Sequence, residues 1–327
     1  MVGDWKKLTI AGVVVAILLL LPLVVELGTD TMNLLIMLFI YIILSQSWNL
    51  IGGYAGQINL GLAAFFGTGV MVTHFLWSNS ILPVYLAVFI GGVATVLLAS
   101  VIGLPTLRLK GSLFGIGTLA LAEAMRITIG NLFPRTTYMP ASYAATYSLV
   151  PRYYFALAIM LFALAVIYAI ANSKLGLAIM ALRDDEDAAE VTGVNIFKYK
   201  VVAFLISAFL AGLGGGIYAY FRMSLYPTYV FVALWTFEPL MAACIGGAGT
   251  FLGPVIGSAF LVILQEFFAL NLGEAHLIIF GILFILVVLF LPTGLIGAAG
   301  KIHRLATRVA RGKPQVAGET THYSGLQ

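Results

Sequence analysis

Charge is what this sequence has least of. Asp, Glu, Lys and Arg make up 9% of the chain, against 61% hydrophobic residues and a mean hydropathy of +1.06. Soluble domains carry roughly 25% charged residues, so this composition excludes one and describes an integral membrane protein. Cysteine is nearly absent too: Cys244 stands alone in an apolar stretch, which excludes an internal disulfide and offers no thiolate cluster to a metal. The histidines show no metal-ligand spacing. No G-x-x-x-x-G-K-[ST] loop occurs, so the chain lacks the standard cradle for ATP phosphates, and neither a nucleophile elbow nor a zinc motif is present. No catalytic residue, metal or cofactor is expected in this chain. Energy must come from a partner that binds ATP and its Mg, or the protein is not a pump.

The apolar residues that are present fall into ten stretches near the length of about 20 residues that crosses a bilayer as a helix. They lie at about 8–27, 32–51, 58–77, 81–103, 113–131, 154–172, 200–220, 230–250, 253–270 and 276–291. The expected fold is an all-α, polytopic helical bundle of about ten transmembrane helices. Residues 1–300 form one membrane domain, and residues 301–327, basic and then polar, form a cytoplasmic tail. The first apolar run follows Lys6 and Lys7 but lacks a small-residue cleavage pattern, so it is expected to be retained as a helix.

With the N-terminus inside, the cytoplasmic segments collect Lys6, Lys7, Arg108, Lys110, Lys174, Arg183, Lys198, Lys200 and the basic residues from Lys301 onward. Arg135, Arg152 and Arg222 fall outside. The positive-inside rule selects this orientation, with both termini cytoplasmic. The formal charge of +4 is accounted for by that asymmetry and by attraction to anionic lipid headgroups, and calls for no nucleic acid.

One island of charge breaks the pattern. "SKLGLAIMALRDDEDAAEVTGVNIFKYK", residues 173–200, joins the sixth and seventh stretches on the cytoplasmic side. Leu175, Ala178, Ile179 and Leu182 recur at helical spacing and predict an apolar face. The acids from Asp184 to Asp187 follow, then Ala188 and Ala189, with Gly193 placed to end a helix. The pattern suggests a short helix pair lying against something. The alternative is a solvated connection, but long ordered connections are uncommon in compact domains unless they have a function.

"DAAEVTG" resembles the EAA loop of ABC-importer permeases, in which an acid and two alanines stand ahead of a glycine. Asp187 replaces the usual glutamate. The wider blocks "SWNLIGGYAGQINLGLAAFFGTG" (47–69), "LRLKGSLFGIGTLALAEAMRI" (107–127), "ALRDDEDAAEVTGVNIFKYKVVAFLISAFLAGLGGGIYAY" (181–220), "IGGAGTFLGPVIGSAFLVILQE" (245–266) and "LPTGLIG" (291–297) run in family order. They are similar to the LivM type of branched-chain amino-acid ABC permease.

That resemblance implies an importer permease of type II-like architecture in a prokaryotic inner membrane. It implies a second permease of the LivH type, two ATPase subunits of the LivG/LivF type and an extracytoplasmic binding protein. It makes 173–199 the coupling loop, with Arg183, Asp184, Glu186, Asp187, Ala188, Ala189 and Gly193 as the residues that meet the ATPase. Two places depart from the family: Leu62 stands where a histidine is usual, and "RTTYMPASYAATY" (135–147) replaces a glycine-rich external loop. The second departure faces the side from which cargo comes. Branched-chain amino acids are the cargo the family implies, with urea, short amides or another small polar metabolite as the alternative. A stand-alone channel or secondary transporter is a third reading, disfavoured by the EAA-like spacing.

Other features allow two readings each. "GGYAGQINLG", with Gln57 and Asn59, and "GGAGTFLGPVIG" interrupt apolar runs; they either line a pathway or make tight turns at helix ends. Ala208, Gly212 and Gly216, and Gly249, Gly253 and Gly257, would form small-residue stripes for close helix packing if their segments stay helical. Glu123 and Arg126, three apart in the fifth stretch, share a helix face; they form either a structural ion pair or part of the pathway. Glu238 and Glu266 stand toward outer helix ends, where they could snorkel.

Overall fold

A computed structural model describes residues 2–24, 28–109, 111–140, 143, 147–184, 190 and 195–272, with scattered positions from 281 to 297. Most of the expected tenth stretch, 276–291, and all of the tail, 301–327, lie outside the described residues. Along the chain come α1 (Val2–Val24), α2 (Thr29–Asn49), a π-helical turn (Leu50–Tyr54), α3 (Leu62–Ser78), α4 (Val84–Thr106) and α5 (Ser112–Leu132). A two-residue strand β1 (Thr137–Tyr138), α6 (Leu149–Ala171), α7 (Lys174–Asp184) and α8 (Ile196–Phe221) follow. The described part closes with β2 (Ser224–Leu225), α9 (Pro227–Val230), α10 (Leu234–Gly246) and α11 (Gly253–Leu272).

Among the described residues, six helical segments are long and apolar enough to cross a membrane: Thr29–Tyr54, Val84–Gly103, Ser112–Leu132, Leu149–Ala171, Ile196–Phe221 and Pro227–Gly246. Gly12–Pro22, Leu62–Ser78 and Gly253–Phe268 are shorter apolar helices. The protein is therefore an all-α, multi-pass membrane bundle.

At its centre stands α8, packed along α3 and α4 and touching α2, α6 and α7. Its stripe of small residues makes this possible. A Cβ at Gly212 would meet Cα of Gly92 on α4 at 3.0 Å, and one at Gly216 would meet Val88 and Thr73. Thr95 of α4 donates from its hydroxyl to the carbonyl of Ala208 at 2.9 Å. Between helices surrounded by lipid, where burying apolar side chains gains little over the tails, close backbone contact and interhelical hydrogen bonds supply the attraction. The stripe at 208–216 thus serves internal packing. The second stripe does not exist as such, because Gly249 lies outside any helix with φ +79°.

Successive long helices alternate in direction, which gives the bundle two distinct ends. The C-terminus of α2, the start of α8, α7 and the turn between α10 and α11 share one end. At the other, Arg152 near the start of α6 donates from Nε to the carbonyl of Tyr220 at 2.8 Å, while its guanidinium lies 3.9 Å from the Tyr147 ring centroid. There too β1 pairs antiparallel with β2, Thr137 opposite Leu225 and Tyr138 opposite Ser224. The unusual 135–147 segment is thereby tied to the chain just beyond α8.

Candidate functional site

The two glycine-rich interruptions, some two hundred residues apart in sequence, meet at the α7 end. After Asn49, α2 widens into the π-helical turn, a distortion common at functional sites. From the last turns of α2, three polar contacts cross to the α10–α11 turn. Asn49 accepts from the backbone N–H of Gly249 at 2.7 Å and donates to the carbonyl of Thr250 at 3.0 Å. Gln46 donates to the carbonyl of Phe251 at 2.7 Å. Gln46 and Asn49 are both fully buried and stand three apart, so one helix face presents both amides to the turn.

Glycine is required on both sides of this contact. A Cβ at Gly53 would overlap Oδ1 of Asn49 and the backbone N of Gly249. Gly249 itself combines its positive φ with a position against the guanidinium of Arg183, so any side chain there would be both strained and obstructed. Arg183 closes the junction. From the last turn of α7 it donates from Nη1 to the carbonyl of Gly53 at 2.8 Å, and its Cγ lies 3.0 Å from where a Cβ on Gly56 would stand. A single guanidinium from the charged loop thus touches both interruptions.

The rest of α7 explains why Arg183 is held there. Ile179 and Leu182 of its apolar face are buried against the neighbouring α6, α8 and π turn. The partner expected for this face is therefore the bundle itself. Leu177, 68% exposed, points the other way. Asp184 ends α7; Glu186, Asp187, Ala188, Ala189 and Gly193 lie outside the described residues.

Gln57 and Asn59 sit beside the junction in the connection from the π turn to α3, both buried. The Asn59 carbonyl accepts from the indole N–H of Trp48 at 2.8 Å, and its Oδ1 accepts from the backbone of Gly61 at 2.9 Å. Its Nδ2 and the Oε1 of Gln46 are buried with no partner among the described residues. Glu123 and Arg126 stand apart from this group on α5. They form an ion pair, Arg126 Nε donating to Glu123 Oε2 at 2.9 Å, with side chains 46% and 33% exposed, respectively. Glu238 does not snorkel: it accepts from Tyr41 of α2 and, at 2.9 Å, from Gln265 of α11. Its place at an outer helix end gave no sign of this, because which face it lay on was decided by partners from two other helices. Among the described residues no group of His, Cys, Asp or Glu is arranged to hold a metal ion.

The bundle with a charged helix docked on broken spans agrees with a comparison across known proteins. The profile of the family described as "Branched-chain amino acid transport system / permease component" matches residues 31–288. The chain belongs to that family. Within it, the chain is similar to the high-affinity branched-chain amino acid transport system permease protein LivM of Escherichia coli (strain K12), with 26% identity covering 89% of this chain and 75% of that protein. A probable branched-chain amino acid transport permease protein LivM of Methanocaldococcus jannaschii is 23% identical over 82% of this chain and 93% of its own. The LivH permease of the E. coli system is 30% identical over a shorter region, 41% of this chain and 43% of that one. No solved structure matches significantly. Permeases are transport subunits. Gln46 and Asn49 were the residues that sequence reasoning missed, although two amides three apart in an apolar helix are a signal in themselves.

Proposed function

We propose that this chain is the permease subunit through which an ATP-driven importer passes branched-chain amino acids across a prokaryotic inner membrane, and that the Arg183 junction couples it to the ATPases. The observation that carries this reading is the hydrogen bond from Arg183 to the carbonyl of Gly53, because it joins the charged loop directly to both interrupted spans. The basic residues near α7 favour a cytoplasmic position for that end. The loop beyond Asp184, with Ala188, Ala189 and Gly193, seats in a groove of an ATPase subunit. A second permease of the LivH type completes the pathway, and a binding protein delivers cargo at the opposite end.

Movement of the ATPases is then passed to α7, whose buried face and guanidinium carry it to the π turn and the α10–α11 turn. Both turns belong to elements packed on α2, so their displacement shifts the seam between α2, α10 and α11. The unpartnered Asn59 Nδ2 and Gln46 Oε1 support a junction with two arrangements, since buried polar atoms left unsatisfied in one shape have partners to gain in another.

The test is uptake of labelled leucine and ATP hydrolysis in proteoliposomes holding the full complex. Parent complex should import leucine only with ATP and binding protein. Ala189→Trp and Gly193→Val should leave the permease inserted while abolishing substrate-stimulated hydrolysis and uptake together, with a pull-down of the ATPases as the assembly check. Both bulky variants working near the parent's level would make the loop a plain connection. Import of urea or short amides in place of leucine would change the cargo and keep the machine.

A further inference from the structure

At the end of the bundle opposite the junction, α2, the last residues of α8 and α11 enclose a cavity of about 410 Å³, within the range of small-molecule sites, about 300–1,000 Å³. Its exposed rim carries charges of both signs: Asp30 from α2, Glu266 from α11 and Arg222 from the end of α8. Its inner wall is apolar, with Leu34, Met37 and the buried Val262.

We propose that this cavity receives the zwitterionic head and aliphatic side chain of the transported amino acid, with Arg222 taking its carboxylate and Glu266 and Asp30 its ammonium group. The inference rests on the function proposed above and adds a site within this chain.

Three features favour a ligand over rim charges that merely meet water. The first is that Arg222 makes no ion pair with Asp30 or Glu266 among the described residues, so cation and anions around one cavity are left for an incoming molecule that carries both. The second is that Arg222 is positioned rather than loose. It follows α8 directly in extended backbone, lies over the rings of Tyr218 and Phe221 at 5.7 and 5.3 Å, and precedes β2, which is paired with β1. The third is that the floor is organised. Tyr41 and Gln265, both lining the cavity, hold the carboxylate of Glu238 between them, which occupies that third acid and leaves the rim acids to the ligand. A planar guanidinium suits a carboxylate because its parallel N–H groups meet both oxygens.

The same helices connect the two ends. Both α2 and α11 line the cavity at one end and reach the junction at the other, so a movement at Arg183 changes the cavity's shape. The 135–147 segment, which departs from the family pattern, is bound beside Arg222: the Met139 N–H donates to the carbonyl of Met223 at 3.0 Å and Tyr147 to that of Phe221 at 3.2 Å.

The experiment uses the whole complex with its binding protein in proteoliposomes, with photo-leucine, a diazirine amino acid, as probe. Labelling should map to peptides containing residues 30–41 or 262–266. Leucine should compete with it; leucinol, which lacks the carboxylate, and 4-methylpentanoate, which lacks the ammonium, should not. Arg222→Gln should lower the efficiency of leucine uptake roughly ten- to a hundredfold, as expected for loss of a charged hydrogen bond. Arg222→Lys should recover part of it, and Glu266→Gln should act mainly on KM. Phosphatidylethanolamine also carries an anion and an ammonium group. Labelling that disappears in vesicles containing this lipid and persists in phosphatidylglycerol alone would assign the cavity to lipid and overturn the proposal. So would leucine uptake by the parent complex without labelling of these peptides, or parent-like uptake by both Arg222→Gln and Glu266→Gln. In each of those cases the importer reading stands. A parent complex that carries no amino acid at all overturns both.

Discussion

The two ends of this permease are built on opposite principles. At the α7 end, backbone meets backbone: Gly53, Gly249 and the guanidinium of Arg183 occupy a space in which a methyl group has no room, and side-chain amides are committed to carbonyls and N–H groups of the facing turn. At the Arg222 end the helices part, enclosing space edged by charges that do not pair with one another. A close-packed contact transmits displacement because it cannot absorb it. An open, polar-edged space can accept a molecule, at the expense of stiffness. Stiffness thus lies beside the charged loop and capacity lies away from it, joined by α2 and α11.

The largest effect expected from this contrast comes at the tight end. Gly249→Val should abolish uptake altogether, since a non-glycine residue at positive φ costs about 1–3 kcal/mol before its overlap with Arg183 is counted. Thermal melting of the detergent-purified complex should fall with it. Uptake at half the parent's rate or better would show that the junction yields, and the contrast between the ends would fail.

Arg183→Ala comes next. Here the fold should survive, because α7 keeps its buried Ile179 and Leu182. Leucine uptake should drop about tenfold or more while basal ATP hydrolysis persists, the loss of a charged hydrogen bond being worth roughly 1.5–3 kcal/mol. A parallel fall in both activities would indicate misassembly. Arg183→Lys, which keeps the charge without the planar fork, should be intermediate.

At the open end, Asn33→Ala removes a neutral polar group from the cavity lining. It should change the KM for uptake by about two- to tenfold with Vmax retained, measured from initial rates across leucine concentrations. A dead variant would mean that this end is as tightly specified as the other. Away from both ends, the Glu123–Arg126 pair sharpens the comparison by its indifference to either. Each single change to alanine should lower the yield of assembled complex, by stranding a charge at the bundle surface, and the double change should restore much of it, scored by size-exclusion yield. Loss of transport with normal assembly would bring the pair into the pathway. The smallest effect belongs to single acids in the charged loop: Glu186→Gln should alter ATPase affinity by about 1 kcal/mol or less, read by titration of the ATPase subunits.

What the sequence made legible was whatever short range decides. Apolar run length identified the helices, and four-residue spacing identified the stripe on α8 that draws in α3 and α4. The spacing of Leu175, Ala178, Ile179 and Leu182 identified a buried face, though not that it would be the bundle's own helices that bury it. The meeting of Gly53 with Gly249 depends on contacts two hundred residues apart, which periodicity does not encode. The interruption also removed Gly249 from the helix that its stripe required. The cavity was hidden for the same reason, since Asp30, Arg222 and Glu266 come from three separated elements and only Glu266 falls in a family block, at its very end. In Gln57 and Asn59 the sequence drew attention to the neighbours of the junction, while Gln46 and Asn49, on α2 ahead of the π turn, make its cross-contacts.

The central position of α8 also bears on how the protein is made. Its closest companions, α3 and α4, are complete by Thr106, whereas α8 ends at Phe221. At a synthesis rate of about 5–20 residues per second, on the order of ten seconds passes with both helices already in the bilayer and their principal contact still on the ribosome. During that interval Gly92 and Thr95 face lipid or a chaperone in place of α8. A nascent chain stopped anywhere before Ile196 would display this groove permanently, and quality-control proteases of the membrane would have a clear mark by which to tell an unfinished permease from a finished one.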